Sequence, residues 1–563
     1  LLDAEPSARF TSADAVIDAL AQALGRSLAT ETFQTRESRL RAAPLMGRES
    51  EVERLSQAVQ AVCNGTGGAW LISGESGVGK SRLLDEVRTL GVVQGALVLR
   101  GQEESEGASP YRLFRDALRW LALLTDLDEL EAGVLLPIVP DLSRILGRLV
   151  ALAPELDPAS MHARTCDVVT GILRRQKQPV VLLLEDVQWS RSDSLDLLKQ
   201  VIPITREIPL LVIATDRDDE RPSLRDSLPG MQSLELQRLS QDAVEKLLGA
   251  MIGEAARRPE VVRLLWRETE GNAFFLVEVV RALAEESGGM ARIGAGALPD
   301  KVFAGGIRRA VERRLQRVPE EARPLLRIAA VIGRTLDLSL LAAIAPEVKL
   351  EPWCAQCVES SVLDRTSDSI RFAHDKLREG LLAELPAAEQ RRLSRVVAEA
   401  IERAADGGAE HYALLAYHYG KAEDRAKEAR YAALSGEQAI RSFAIAEGSA
   451  LLSRALVLTP ETSETAASRA RLHRLLGEAC YYEGRFDDAL SQLDRALSQL
   501  GIKVPTSRWQ WLLLLLGQAL LQVAIYMGLV RASKVSAEGA QHANEASWTA
   551  ARAAYIYSYD MDM

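Results

Sequence analysis

Cysteine is scarce in this chain. Its 563 residues include Cys63, Cys166, Cys354, Cys357 and Cys480 and no others. Their scatter excludes a disulfide framework, and the lone C-x-x-C at 354–357 has no second pair to complete a zinc site. Aromatics are also few, at 5%. There is no excess of positive charge: the formal net charge is −10, which excludes a broad electrostatic footprint for nucleic acid. The first residues, LLDAEPSARF, lack an initiator methionine, a basic n-region and an apolar h-region. We read no signal peptide there, and we read the chain as a fragment of a longer protein. The expected setting is the cytoplasm, with no nucleic-acid partner. Long hydrophobic runs are nearly absent too. Residues 509–530, WQWLLLLLGQALLQVAIYMGLV, are long enough to span a bilayer, but Gln510, Gln518 and Gln522 interrupt them. We read them first as a buried helix pair in the repeat array, with a membrane segment as the open alternative.

What is present begins with size. A chain of 563 residues holds several domains. The runs AWLIS, ALVLRG, PVVLLLED and PLLVIATD are short, apolar and separated by helical patterns. They suit strands of a parallel α/β sheet, buried on both faces. Beyond residue 217 strand signals become rare, with one small β element expected near VLDRTSDSIRFAH. The C-terminal part is Ala-rich and helical.

Gly74-Glu75-Ser76-Gly77-Val78-Gly79-Lys80-Ser81 fits the P-loop pattern G-x-x-x-x-G-K-[ST], after a strand and before a helix. Glycines let backbone N–H groups converge on phosphate oxygens, and the helix N-terminus favours the anion. Lys80 is placed to reach the β- and γ-phosphates, the Ser81 hydroxyl to bind Mg²⁺, and Arg82 to flank the phosphates. The strand PVVLLLED ends in Glu185 and Asp186. We assign Glu185 to the Mg²⁺ shell and Asp186 to the attacking water, as orienting group or base; an exchange of these roles stays open. The next strand ends beside Arg217, a γ-phosphate sensor by charge and position. The expected cofactors are therefore ATP or ADP with Mg²⁺.

These motifs resemble the STAND class of signal-transduction ATPases, within the AAA+ superfamily. The resemblance covers about residues 44–400. LMGRESEVERL resembles the segment before the family's P-loop, through Gly47, Arg48 and Glu49, with Gly47 and Arg48 shaping the nucleotide pocket. LLLEDVQWSRSDSLDLL resembles its acidic strand, and TEGNAFFLVEVVRAL its lid segment. IRFAHDKLREGLL resembles the segment whose histidine contacts the resting nucleotide, which places His374 there with Asp375 beside it. Two positions depart: Ala273 stands where the family usually has proline, and Arg191 where an acidic residue is common. RLHRLLGEACYYEGRFDDALSQLDRAL resembles a tetratricopeptide repeat through Leu476, Gly477, Tyr481, Gly484, Ala489 and Ala496. LLDAEPSARFTSADAVIDAL resembles the closing segment of a bacterial Hanks-type serine/threonine kinase, with Arg9 as its buried arginine, implying a kinase–ATPase fusion as the parent.

The expected organisation is a kinase-like remnant at 1–25, a linker at 26–43, a P-loop ATPase domain at 44–217, a helical lid at 218–299, a winged-helix-like domain at 300–405 and a repeat solenoid at 406–563. The resemblance implies a nucleotide switch whose repeats bind a protein partner, with nucleotide-dependent self-assembly. The competing readings are a scaffold with a vestigial nucleotide site and a transcriptional regulator. Replacing Lys80 with alanine separates switch from scaffold: the switch loses ATP binding and function together, whereas a scaffold keeps partner capture. ATP-binding and pull-down assays on the variant read both.

Overall fold

The computed structural model describes residues 45–104, 109–218, 220, 221, 223–253, 258–287, 293, 306–365, 369–404, 408–502 and 545–553, with isolated positions at 16, 19, 20 and 23. Arg9, the kinase-like remnant as a segment, the linker and the apolar run at 509–530 lie outside the described residues.

Five strands, β1 (Gly68–Ser73), β2 (Leu97–Gln102), β3 (Val180–Glu185), β4 (Leu210–Asp216) and β5 (Gln232–Glu235), form a parallel sheet in the order β2-β3-β4-β1-β5. The first four coincide with the apolar runs read from sequence. β5 does not: it is a four-residue edge strand whose only buried residue is Leu234, too little for a pattern to show. Helices cover both faces. α1 (Glu49–Cys63) and α2 (Lys80–Val93) pack Leu55, Val59, Leu83 and Val87 on Val181, Leu183, Leu211 and Ile213. α3 (Arg112–Leu124), α4 (Pro158–Arg174) and α5 (Ser192–Ile204) pack Phe114, Leu118, Val169 and Leu198 on Val180, Leu182, Leu184 and Val212. Alternate residues of β3 thus serve opposite layers, as a central strand requires.

Next, where the lid is expected, comes a helical unit of α6 (Gln241–Ile252), α7 (Pro259–Thr269) and α8 (Ala273–Glu286), with its own apolar core around Val244, Leu265 and Leu276. The Ser240 hydroxyl caps α6 and the Asn272 amide caps α8, each accepting an N–H of the first turn. A third unit contains α9 (Arg323–Ile332), α10 (Leu350–Glu359), α11 (Asp375–Glu384) and α12 (Ala387–Ala404). Its strands β6 (Thr335–Leu336), β7 (Leu363–Arg365) and β8 (Ile370–Phe372) form an antiparallel sheet, order β6-β8-β7. The β7–β8 hairpin is the small β element expected there, and the two-residue β6 is an addition.

Among the described residues that follow, the main elements are helices: α13 (Tyr412–Lys421), α14 (Arg425–Arg441), α15 (Ile445–Leu458), α16 (Ala466–Tyr482) and α17 (Phe486–Gln499). A Cβ on Gly436 would press on Leu452, and one on Gly477 on Leu493, so two successive helix pairs close on a glycine–leucine contact at the same offset. Their corners are left-handed, at Phe443 (φ 66°) and Gly484 (φ 75°). One apolar cluster continues from Val311 in the third unit to Ala479 in α16, so the packing does not break near residue 405. No described helix is long and apolar enough to cross a membrane.

Within that cluster His418 is fully buried, and neither ring nitrogen has a hydrogen-bond partner. Burial pushes its pKa down to about 3. The native imidazole stays neutral while the unfolded chain takes up a proton near the usual value of about 6.5. The unfolded state therefore binds the extra proton, and stability is lost as pH falls from about 6.5 toward 3. Replacing His418 with leucine weakens this dependence: the variant loses less melting temperature than the parent between about pH 7 and about pH 5.

Candidate nucleotide site

The P-loop connects β1 to α2. Gly77 (φ 90°) and Gly79 (φ 108°) take backbone angles that a side chain resists, and they turn the loop into the start of α2. Lys80, the first residue of α2, is buried, and its ammonium donates to the carbonyls of Gly74 and Glu75. Burial lowers its pKa. The lid clamps this loop. Asn272 Nδ2 donates to the Ser76 carbonyl at 3.1 Å, and the Phe274 N–H to the Gly77 carbonyl at 3.0 Å. Arg48 donates to the Val78 carbonyl at 3.3 Å and to that of Gln237, joining the segment before α1 to both.

A cavity of about 370 Å³ opens over the loop. Its polar lining comes from Ser76, Gly77, Val78, Gly79, Lys80, Ser81 and Arg82 with Asp186 and Arg217. Its apolar lining comes from Leu45, Met46, Leu239, Leu247, Met251, Ala273, Phe274 and Val277. The third unit supplies the remaining wall through Arg334, Asp364, Arg371, Ala373, His374 and Asp375, and Arg48 also lines the cavity. Of the residues singled out in sequence, the structure therefore brings Arg48, 76–82, Asp186, Arg217 and His374 to one cavity. Gly47, Gly74, Glu75 and Glu185 do not line it. Gly47 instead faces Ala243 of α6, Gly74 faces the Leu236 backbone, and the Glu75 carboxylate pairs with Arg238 at 2.5 Å.

Glu185 lies off the cavity. As the last residue of β3, it is buried against Arg100 of the neighbouring β2, and the two form an ion pair. Burial alone would raise its pKa; the Arg100 guanidinium overcomes this and holds the carboxyl below its ordinary value. Of the two carboxylates that end the strand, that of Asp186 lines the cavity, with Asp85, Asp364 and Asp375 also on the wall. Asp186 leaves the strand with left-handed backbone (φ 59°), which re-aims its side chain.

Asp186 sits in a cluster of four charges. Arg334 Nη1 lies 2.8 Å from Asp186 Oδ2, and Arg334 Nε 3.1 Å from Asp375 Oδ1. Arg217 pairs with Asp375 and reaches Asp186 at 3.9 Å. All four are largely buried. Burial opposes ionisation of Asp375, but Arg334 and Arg217 hold its pKa down. At Asp186 burial prevails over Arg334 and the pKa rises. Arg217 is further placed by Glu220 at 3.0 Å, by its own N–H on Gln188 Oε1 at 3.2 Å and by the Trp189 ring, 4.8 Å from its guanidinium carbon. His374 caps α11 by accepting the Lys376 N–H at 3.2 Å. Its ring stacks on Phe274 of the lid, centroids 3.8 Å apart, and burial takes its pKa down to about 3, so it is neutral.

Sequence reasoning missed Arg334, Arg371 and Arg100. Arg334 follows a glycine at the end of an apolar helix, and no motif marks it. Among the described residues no group of three or more His, Cys, Asp or Glu side chains could hold a metal ion by itself.

The comparisons agree with this geometry at the level of the ATPase segment. Residues 44–213 match the family model described as an AAA ATPase domain, so the P-loop segment is an AAA-type ATPase domain. An uncharacterized protein of Rhizobium meliloti is 28% identical over 333 residues, 54% of this chain and 31% of its own length. The chain thus spans about a third of that curated relative. Among solved structures, similarity extends to a STAND protein with a tetratricopeptide repeat sensor from Pyrococcus horikoshii. It has 14% identity and a TM-score of 0.44, over 82% of this chain and 66% of that one. The Aeropyrum pernix ORC1 protein in complex with DNA is also similar, at 16% identity and a TM-score of 0.32, over 61% and 94%.

Replacing Arg334 with alanine removes the bridge between Asp186 and Asp375 and leaves buried carboxylates under-compensated. The expected cost in stability is about 3 kcal/mol. The freed Asp186 should raise basal ATP turnover, read by phosphate release alongside a thermal melt.

Proposed function

We propose that the chain is an ATP-binding, slowly hydrolysing switch of the STAND kind, drawn here in its closed state. The observation that carries the proposal is the engagement of Asp186 and Arg217, on the ATPase domain, by Arg334 and Asp375 from the third unit. A motor built for rapid turnover gains nothing from occupying these groups with a neighbouring module. A switch does, because a ligand can then favour one arrangement over the other.

The residues suit a purine nucleotide with its phosphates on the loop. The glycine-rich backbone, Lys80 and the start of α2 bind and orient the phosphates. The apolar lining, with Met46 and Leu239, receives the base, and Ala273 leaves more room there than proline would. Ser81 and Asp186 are the cavity groups suited to Mg²⁺, which needs only one or two protein oxygens beside phosphate and water. When bound, the metal supplies charge neutralisation between the phosphates. Asp186, once released by Arg334, orients the attacking water and accepts its proton, and Arg217 faces the terminal phosphate once Asp375 withdraws. The helical repeats bind a protein partner, and the opened form self-associates. The setting is cytoplasmic, with no nucleic acid or membrane partner.

The test is the nucleotide content of the purified chain. Denaturation and chromatography should release ADP, and added ATP should be turned over slowly. An empty site that binds no ATP would move the function to the repeats, and fast turnover without any partner would also overturn the switch.

A further inference from the structure

Helix α5 begins just past Asp186, and its N-cap position holds Arg191, extended at φ −74°, ψ 165°, with no side-chain cap. Arginine has no acceptor atom and cannot cap a helix. The first-turn amides still need partners. Asp193 Oδ1 accepts the Ser194 N–H at 2.6 Å, while its Oδ2 accepts the Tyr111 N–H at 3.2 Å. Ser192 is served from elsewhere. Its N–H donates to Glu447 Oε1 at 2.8 Å and its hydroxyl to Glu447 Oε2 at 2.7 Å. Glu447 lies in the first turn of α15, in the helical repeats, 255 residues along the chain.

The corner that delivers Glu447 is built for this contact. Phe443 stacks on His162 of α4, centroids 5.4 Å apart. The Tyr111 hydroxyl donates to the Ser442 carbonyl at 3.2 Å and lies 2.7 Å from His162 Nδ1. Phe443 holds a left-handed backbone, unfavourable for a bulky residue, where the matching corner of the next helix pair has Gly484. The strained residue is the one that docks.

We propose that Glu447 is a positioning residue for the ATPase centre: the repeats supply the N-terminal carboxylate of α5, which the ATPase domain lacks at Arg191. The loop between Asp186 and α5 is then held at its far end by the repeats. That loop carries Gln188 and Trp189, both on Arg217, and Arg221 donates to its Ser190 carbonyl at 3.1 Å. Undocking the corner leaves the Ser192 N–H to water and removes one of the two acidic side chains, Glu447 and Asp193, at the positive end of the helix dipole. The repeats thereby reach Asp186 and Arg217 without touching the nucleotide. The kinetic consequence rests on the ATPase reading above; the cap itself does not.

The experiment uses the full chain with Glu447→Ala, Glu447→Gln, and Glu447→Ala combined with Arg191→Asn, which restores a local cap. Hydrogen exchange without nucleotide reads the cap, and steady-state ATP hydrolysis reads its effect. In Glu447→Ala, exchange of the peptide covering 186–198 should quicken about five- to tenfold, with the α2 peptide unchanged. The kcat should rise about tenfold, in the direction expected for Arg334→Ala, while KM for ATP stays within about twofold. Glu447→Gln, which keeps one acceptor oxygen and the side-chain shape, should fall between. Adding Arg191→Asn should recover the protection and bring kcat back toward the parent value. Unchanged exchange at 186–198 in Glu447→Ala, or a folded double variant that recovers neither readout, overturns the proposal. A chain that never hydrolyses ATP sinks the ATPase reading alone, since the exchange comparison still decides the cap.

Discussion

Two aspartates and two arginines, buried between the ATPase domain and the unit that follows its lid, hold the nucleotide cavity in its observed shape. Removing charge from water is costly, and the cost is offset only while each charge keeps its partner. Asp186 and Asp375 are compensated by Arg334 and Arg217, and opening the modules strands all four. In the proposed switch, a triphosphate would offer Arg217 a different anion. Its binding and the closed arrangement would then compete for that guanidinium, which is what a two-state element biased by ligand requires.

The remaining contacts make this competition cooperative. Lid and P-loop share backbone and amide hydrogen bonds at Ser76 and Gly77, so the lid follows the loop. Phe274 of the lid stacks on His374 of the third unit, so the lid also follows that unit. The apolar cluster that continues from Val311 to Ala479 carries the third unit into the repeats as one packed body. The repeats return to the ATPase domain at Glu447. The modules thus close a loop of contacts around the cavity, and a force on any one is felt at Asp186.

The phosphate-binding stretch and the four long strands were legible because their signals are local: glycine spacing, a Lys-Ser pair and apolar runs bounded by turns. β5 was not legible, since an edge strand with one buried residue carries no periodicity. The carboxylate pair was legible as a pair. Which of the two lines the cavity was not, because that depends on Arg100 in a neighbouring strand and on the left-handed turn at Asp186. Arg334 joins Asp186 across 148 positions of chain, and Ser192 joins Glu447 across 255. No single-sequence pattern encodes such pairings. Arg191 lies between these cases. Its departure from an acidic residue is visible in the sequence, but the carboxylate that stands in for it appears only once the chain is folded.

The central claim is that the ion cluster is a latch released by the triphosphate. The most direct measurement is a pair of spin labels at exposed positions, Val93 at the end of α2 and Glu351 in α10, with Cys63 replaced by serine. Distances would be recorded with ADP and with a non-hydrolysable ATP analogue, binding of each being verified first. The account predicts one short distance with ADP and a longer, separate population with the analogue. The same single distance with both nucleotides bound would contradict it.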